Sequence, residues 1–196
     1  MQSAILNGDK ISGITIQNIK LKVDSGDILF QKEFDIDSDE DIFGIEKKVS
    51  KLSSEIIASF LDNFEKGKIT PITQDEKKVS LCKIFKKEDG LINWNESRES
   101  IINKIRAFAK WPLSYTTIFG KKLLIHSAKI ATDINYSDYR SKQNGEIVIS
   151  NKNSGIIVKA SDGFIKLLKL QIEGKKNLDY KEFINGQKNL VGEILL

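Results

Sequence analysis

The sequence predicts an α+β fold in two parts, and three observations support this prediction. Apolar side chains recur every three or four residues between Ile45 and Phe64, which indicates an amphipathic helix. Beyond Tyr115, short β-branched stretches alternate with glycine turns, a pattern typical of a small antiparallel barrel such as the OB-fold. Residues 1–80 carry 11 basic and 15 acidic side chains, whereas residues 81–196 carry 20 and 12. The second part is therefore predicted to be a basic β unit.

The first part contains predicted strands, a turn and a helix. Alternating β-branched side chains predict strands over residues 11–16 and 19–23, and the extended pattern resumes over 28–30. Residues 24–27 are turn-forming, and the acidic stretch 35–41 offers carboxylates that a following helix N-terminus favours. The predicted apolar face of that helix consists of Val49, Leu52, Ile56, Ile57, Phe60, Leu61 and Phe64.

The middle of the chain contains a predicted linker and a second helix. The linker covers residues 67–80, which begin with a glycine that ends the first helix and show no periodicity. The second helix is predicted over 97–108, where apolar residues lie on one side and Trp111-Pro112 follows as a breaker. Either Asn95 or Ser97 suits its N-cap.

Glycine turns divide the remainder of the chain into short strands. Asp162-Gly163 is the strongest hairpin signal among these turns. A final helix is predicted over 180–184, with Asp179 as its N-cap. The predicted strands cover residues 116–119, 123–130, 146–150, 155–160 and 164–171.

The composition favours a cytosolic protein. No stretch approaches the roughly 18 apolar residues that a membrane span requires. The N-terminus lacks the basic and apolar regions of a signal peptide. The single cysteine, Cys82, cannot form an internal disulfide. We therefore expect a cytoplasmic location, with neither a membrane nor a metal ion as a partner.

Three groups of short motifs are AILNGDKISGITIQ (4–17) with VDSGDIL (23–29), DGLINW (89–94) with IRAFAKWP (105–112), and DG (162–163) with LQIEGKK (170–176) and FING (183–186). Together they resemble the methionyl-tRNA formyltransferase family. That family has AI..GD..TG.TI, D.GD.L, G.IDW, IRAFNPWP, DG, LQ..GKK and FL.G in the same order. The resemblance covers nearly the whole chain.

The resemblance implies a domain organisation. Residues 1–66 would be the remnant of a Rossmann-like α/β formyltransferase domain, and residues 67–80 the linker. Residues 81–196 would be a small basic OB-like β-barrel with flanking helices. Family members carry a catalytic Asn, a catalytic His and an SLLP segment before the position that matches Met1. We therefore expect a truncated chain that is inactive alone, with most of the folate site outside it.

The resemblance also implies transfer of a formyl group from 10-formyltetrahydrofolate to the methionine amino group of initiator tRNA. Attack by a neutral amine needs a proton relay and polar donors. An Asn, a His and an Asp share this work in the family, and only the Asp has a match here, Asp24. Its expected role is to orient and charge-balance the missing His and to help shuttle protons. Taken alone, residues 24–27 favour a simple β-turn over a catalytic site.

Basic side chains of the second part are candidates for tRNA contacts, because Lys and Arg supply most sequence-independent affinity for RNA. On charge alone, a solvated lysine face is an equal alternative. Arg106 suits a buried structural role at the helix–barrel junction equally well, whereas Trp94 and Trp111 favour core packing and His126 a structural position. The candidate tRNA-binding residues are Lys175, Lys176, Lys121, Lys122, Arg106 and Lys110.

Two other functions compete with the tRNA formyltransferase. One is a standalone basic OB-like RNA-binding module without catalytic activity. The other is a related formyltransferase that acts on an amino sugar nucleotide or hydrolyses formyl-folate, against which the IRAFAKWP and GKK blocks argue. Residues 1–66 contain few strands, so we expect them to be poorly stable. They would either expose an apolar face or self-associate through an open strand edge.

Overall fold

The computed structural model describes residues 1–187 and 189–196, apart from the side chain of Tyr136. The described residues form two compact units. The first unit contains Met1 and residues 9–84, and the second contains residues 2–8 and 85–196. Both units combine helices with antiparallel strands, so the predicted α+β fold class is confirmed.

Helices and strands follow one another in small groups along the chain. The helices are α1 (Gln2–Asn7), α2 (Ile42–Glu65), α3 (Arg98–Ala107) and α4 (Tyr180–Gly186). The strands are β1 (Ile11–Gln17), β2 (Ile28–Asp35), β3 (Ser114–Ile118), β4 (Lys121–Ala131), β5 (Ile147–Asn151), β6 (Gly155–Ala160), β7 (Gly163–Ile172) and β8 (Leu178–Asp179).

The first unit is built from a β hairpin and one long helix. Strands β1 and β2 pair antiparallel, with Ile11 opposite Asp35. The side chain of Asp41 accepts a hydrogen bond from the Gly44 amide at 3.0 Å, which caps α2. The predicted helix is confirmed, and Gly67 follows it with a φ of +64°. Buried side chains of this unit are Phe34, Ile36, Ile42, Ile45 and Phe60.

The predicted strand over residues 19–23 is wrong. These residues belong to the loop between β1 and β2, whose base is closed by the Asn18 amide donating to the Asp27 carbonyl at 3.0 Å. Ile19, Leu21 and Val23 are 100%, 107% and 83% exposed, respectively. Alternating β-branched residues indicate a strand only where a partner strand is available, and here β1 pairs directly with β2.

Residues 67–80 lie within the first unit and combine irregular backbone with hydrogen bonds to β2. Ile72 exchanges two backbone hydrogen bonds with Ile28, at 2.8 and 2.9 Å. A short 3₁₀ turn covers Glu76–Lys78. These contacts place the segment that contains Ile72 alongside the start of β2.

The second unit is built around one antiparallel sheet. Its described strands run in the order β3-β4-β7-β6-β5, and β8 pairs with β7. All the strands predicted in this half form within two residues of their predicted ends, since glycine turns mark most of the ends. The register shifts between Ile125 and Ser127 in β4, which is a β-bulge at His126.

The C-terminal segment bridges the two edge strands of this sheet. Leu196 and Thr117 of β3 exchange backbone hydrogen bonds at 2.7 and 3.1 Å. The Ile147 amide of β5 donates to Glu193 at 2.9 Å, and the Gly192 amide donates to Ile147 at 2.9 Å. Backbone groups at both edges are therefore paired within the chain, which protects these edges from other strands.

Helices cover the core of the second unit. Ser97 caps α3 by accepting from the Ser100 amide at 3.1 Å, and Asp179 caps α4 through a capping box. Both caps agree with the sequence prediction. The sequence did not predict α1, a six-residue helix that is too short for a periodic signal. Core side chains on α3 and the sheet include Ile101, Ile105, Leu123, Ile125, Val158, Ile165, Leu167 and Leu170.

Candidate functional site

Asp24 lies in the loop that joins β1 to β2. Its backbone adopts the left-handed conformation with a φ of +55°, which is uncommon for a residue other than glycine. Its side chain is exposed, and one carboxylate oxygen accepts a hydrogen bond from Gln17 Nε2 at 3.2 Å. The sharp turn therefore presents a carboxylate to solvent with its orientation restrained by a neighbouring amide.

Gln74, which is remote in sequence, holds this loop in place through its side-chain amide. Its Nε2 group donates to the carbonyl oxygens of Asp24 at 2.9 Å and Gly26 at 2.6 Å. The same nitrogen lies 3.1 Å from Gln17 Oε1, so one amide group joins both sides of the loop. Sequence reasoning missed Gln74 and Gln17, because neither periodicity nor a turn signal marks an amide that bonds across 50 residues.

Gly26 is required by the path of the loop. A Cβ atom at this position would lie 1.6 Å from the carbonyl oxygen of Asn18, which is far inside van der Waals contact. Asp27 forms an ion pair with Lys20 at 3.2 Å, so the second acidic residue has a structural partner. The Ser25 hydroxyl donates to the Lys22 carbonyl at 2.7 Å. The turn forms over residues 22–25, two residues before the predicted 24–27, because the Ser25 amide donates to the Lys22 carbonyl at 3.4 Å; Asp24 is its exposed acid.

Four of the predicted basic residues lie on two adjacent turns of the second unit. Lys121 and Lys122 follow the β3–β4 turn, and Lys175 and Lys176 lie in the β7–β8 turn. The Glu173 amide donates to the Lys122 carbonyl at 3.0 Å, which ties the two turns together. Lys121, Lys175 and Lys176 are exposed. The backbone positions of the four lysines therefore lie at one end of the sheet.

Two further contacts order this end of the sheet. The Lys122 ammonium lies 3.8 Å from the centre of the Tyr115 ring. His126 Nε2 lies 2.8 Å from Gln171 Oε1, and Gln171 Nε2 donates to the Lys175 carbonyl at 2.8 Å. His126 thus contributes to the shape of the lysine-bearing turn, in agreement with the structural position predicted for it.

The remaining candidates lie at the end of α3. Arg106 is half-buried, and its Nη1 donates to Asn103 Oδ1 at 3.0 Å. Lys110 is exposed just beyond the helix. Trp94 is buried and donates from Nε1 to Thr116 Oγ1 at 3.2 Å, which confirms its core position. Trp111 is half-exposed, so the expected core position is wrong for this ring. It lies after the end of α3, next to Pro112, and stays at the surface.

The described residues contain no group of three or more His, Cys, Asp or Glu side chains that could hold a metal ion. None of the helices in the described part of the chain combines the length and the apolar character that crossing a membrane requires.

Comparison with known families gives these features a context. Residues 84–188 match the family model described as formyl transferase, C-terminal domain, and residues 1–61 match the model described as formyl transferase. The chain belongs to the formyl transferase family. The matched segment 1–61 contains Asp24, and the matched segment 84–188 contains all six candidate basic residues. The resemblance inferred from the motifs is thereby confirmed.

The chain is also similar in sequence to curated relatives and in fold to solved structures. A methionyl-tRNA formyltransferase of Borreliella afzelii is 40% identical over 99% of this chain and 60% of the relative. The chain thus spans less than two thirds of that relative. HypX from Aquifex aeolicus in complex with tetrahydrofolic acid has a TM-score of 0.69 at 19% identity, over 93% of this chain and 31% of that chain. Methionyl-tRNA formyltransferase from Clostridium thermocellum has a TM-score of 0.52 at 20% identity, over 68% of this chain and 57% of that chain.

Proposed function

We propose that the protein is a methionyl-tRNA formyltransferase, which transfers the formyl group of 10-formyltetrahydrofolate to the methionine amino group of initiator tRNA. The observation that carries this proposal is the 40% identity, over 99% of the chain, to the Borreliella afzelii enzyme of that name. We assign residues 1–66 to the catalytic domain, 67–80 to the linker and 81–196 to tRNA binding. The clamped loop around Asp24 and the lysine-bearing turns support this assignment.

Asp24 is the catalytic contribution of this chain in our proposal. In the reaction, the amine nitrogen bonds to the formyl carbon and the bond from that carbon to the folate nitrogen breaks. One proton leaves the amine and one is gained by the folate nitrogen. A carboxylate fixed beside this path orients a histidine, balances its charge and helps to move the proton. The exposed Asp24 side chain suits this role because Gln17 and the Gln74 clamp restrain its loop.

The basic turns are the tRNA-binding contribution. In this proposal Lys121, Lys122, Lys175 and Lys176 contact tRNA phosphates, and Arg106 and Lys110 are further candidates. Residues 81–196 carry 20 basic and 12 acidic side chains, so their net charge favours a polyanion. The proposed partner is therefore initiator tRNA with methionine attached.

Measuring the binding of initiator tRNA by this chain across a series of salt concentrations tests the proposed role of the basic turns. We expect log K to fall linearly with log salt, by roughly 0.7–0.9 for each phosphate that is neutralised. Lys175→Ala should reduce that slope by about one such step. Lys152→Ala, at the exposed turn between β5 and β6, is the matched control and should leave the slope unchanged. An unchanged slope in Lys175→Ala would contradict the placement of the interface.

A formyl-transfer assay on the protein tests the proposed catalytic role of Asp24. We expect Asp24→Asn to lower kcat by about 10²–10⁴-fold, the range for a lost proton-transfer group. Asp27→Asn is the control, because Asp27 is paired with Lys20 and should affect kcat much less. Wild-type protein that binds tRNA but transfers no formyl group would instead establish the non-catalytic RNA-binding module.

A further inference from the structure

Phe119 occupies a strained position at the tip of the β3–β4 hairpin. Ile118 pairs with Lys121, so Phe119 and Gly120 form a two-residue turn. Their φ values are +51° and +68°. Positive φ at both central residues is the requirement of a type I′ turn, for which Asn-Gly is the favoured pair. A bulky aromatic residue in the left-handed region is an outlier, since its Cβ crowds the following carbonyl.

Phe119 is not one of the buried core residues. It is 48% exposed, so about half of the residue faces solvent. Asparagine at the same position would adopt the backbone more readily and would expose less apolar surface. Strained residues of this kind cluster at functional sites, where the strained side chain serves binding. The outlier therefore calls for a ligand outside the chain.

The surroundings of Phe119 indicate the chemistry of that ligand. Lys121 and Lys122 follow the turn directly, and the Glu173–Lys122 backbone hydrogen bond brings Lys175 and Lys176 to the same end of the sheet. A solvent-facing aromatic ring among lysines is the combination that binds single-stranded nucleic acid. The ring stacks on a base while the ammonium groups contact the adjacent phosphates.

We propose that Phe119 stacks on an unpaired base of the RNA ligand, with Lys121, Lys122, Lys175 and Lys176 contacting phosphates on either side of it. This inference rests on the proposed tRNA-binding function and names the residue that would recognise an unpaired nucleotide. It extends that function, because phosphate contacts alone do not distinguish paired from unpaired RNA.

The test measures binding of initiator tRNA, and of a blunt RNA duplex without unpaired nucleotides, to Phe119→Ala. We expect tRNA affinity to fall about fivefold or more, the effect of losing one stacked base, with the salt slope unchanged. Affinity for the duplex should stay the same. Phe64→Ala is the matched control, since Phe64 is 52% exposed but lies in the first unit. It should leave both affinities unchanged.

A second variant separates binding from folding. Phe119→Asn gives the turn its favoured sequence, so we expect Tm to rise by roughly 2–4 °C while tRNA affinity falls as in Phe119→Ala. A fall in Tm would show that the ring is a packing residue and would overturn the inference. Unchanged tRNA affinity in both variants would also overturn it, provided wild-type binds. Absence of tRNA binding by the wild-type protein would instead refute the proposed function.

Discussion

The substitution Gln74→Glu isolates the clamp on the Asp24 loop. It keeps the length of the side chain but replaces the donating NH₂ group with an oxygen that faces two carbonyls. The lost hydrogen bonds are those to Asp24 at 2.9 Å and Gly26 at 2.6 Å. At about 0.5–1.5 kcal/mol each, their loss favours the open loop by about 1–3 kcal/mol. That free energy corresponds to a population of the open loop increased roughly 5- to 150-fold.

Amide hydrogen exchange of residues 18–27 measures this opening, with the Asn18 amide as the main probe because it donates to Asp27 across the base of the loop. We expect faster exchange here and unchanged exchange in β7 of the second unit. Gln31→Glu is the matched control, since Gln31 makes one exposed hydrogen bond to Thr15 at 3.1 Å. Equal exchange in Gln74→Glu and wild-type would refute the view that Gln74 orders the loop. In a formyl-transfer assay, Gln74→Glu should also lower kcat while changing KM less.

Three further perturbations test other parts of the structure. Gly26→Ala should destabilise the first unit by about 1–3 kcal/mol in denaturant unfolding, because the added Cβ would overlap the Asn18 carbonyl. Gly186→Ala is the control, since a Cβ at that position has nothing within 4 Å, and it should change stability by less than about 0.5 kcal/mol. The hydrogen bond from Lys142 holds the pKa of Glu146 below its usual value, so the ionised carboxylate stabilises the folded state. This stabilisation is present above the ordinary pKa of about 4.3 and is lost as pH falls through the lower folded pKa. Glu146→Gln should therefore lower Tm at pH 7, and the difference from wild-type should disappear in acid. Finally, hydrogen exchange in a dilute monomer should show less protection in residues 9–66 than in 115–171, and equal protection would contradict the expected weakness of the first unit.

That expected weakness follows from the surface of α2. The predicted helix forms, yet Ile57, Leu61 and Phe64 of its predicted apolar face are exposed, and Phe60 of that face is buried. The 3.6-residue period predicts the helix correctly because the period depends on the local chain. It does not predict what covers the face, since that depends on residues elsewhere. We expect concentration-dependent self-association of the chain, measured by sedimentation, to decrease in Leu61→Lys if this face provides the contact.

The same distinction between local and remote information separates correct from missed site residues. Glycine turns and caps such as Ser97 and Asp179 were predictable because their chemistry involves neighbours within three residues. Asp24 was selected from a motif, and its catalytic role stays a prediction. Gln74 was not, because its role exists only when the chain brings it to a loop 50 residues earlier. The strand predicted over 19–23 failed for the converse reason, since its local pattern was suitable but no partner strand was available.

Phe119 shows how a local rule can point to function when it is broken. The turn at Gly120 was predicted, and the Phe-Gly pair departs from the Asn-Gly pair that a type I′ turn favours. A chain selected for stability alone would lose this phenylalanine readily, because asparagine relieves the strain without removing a core contact. Its presence at the same end of the sheet as four lysines is explained if binding depends on the ring. The decisive result is therefore the sign of the stability change in Phe119→Asn: a gain in Tm together with a loss of tRNA affinity requires a ligand, whereas a loss of both requires only packing.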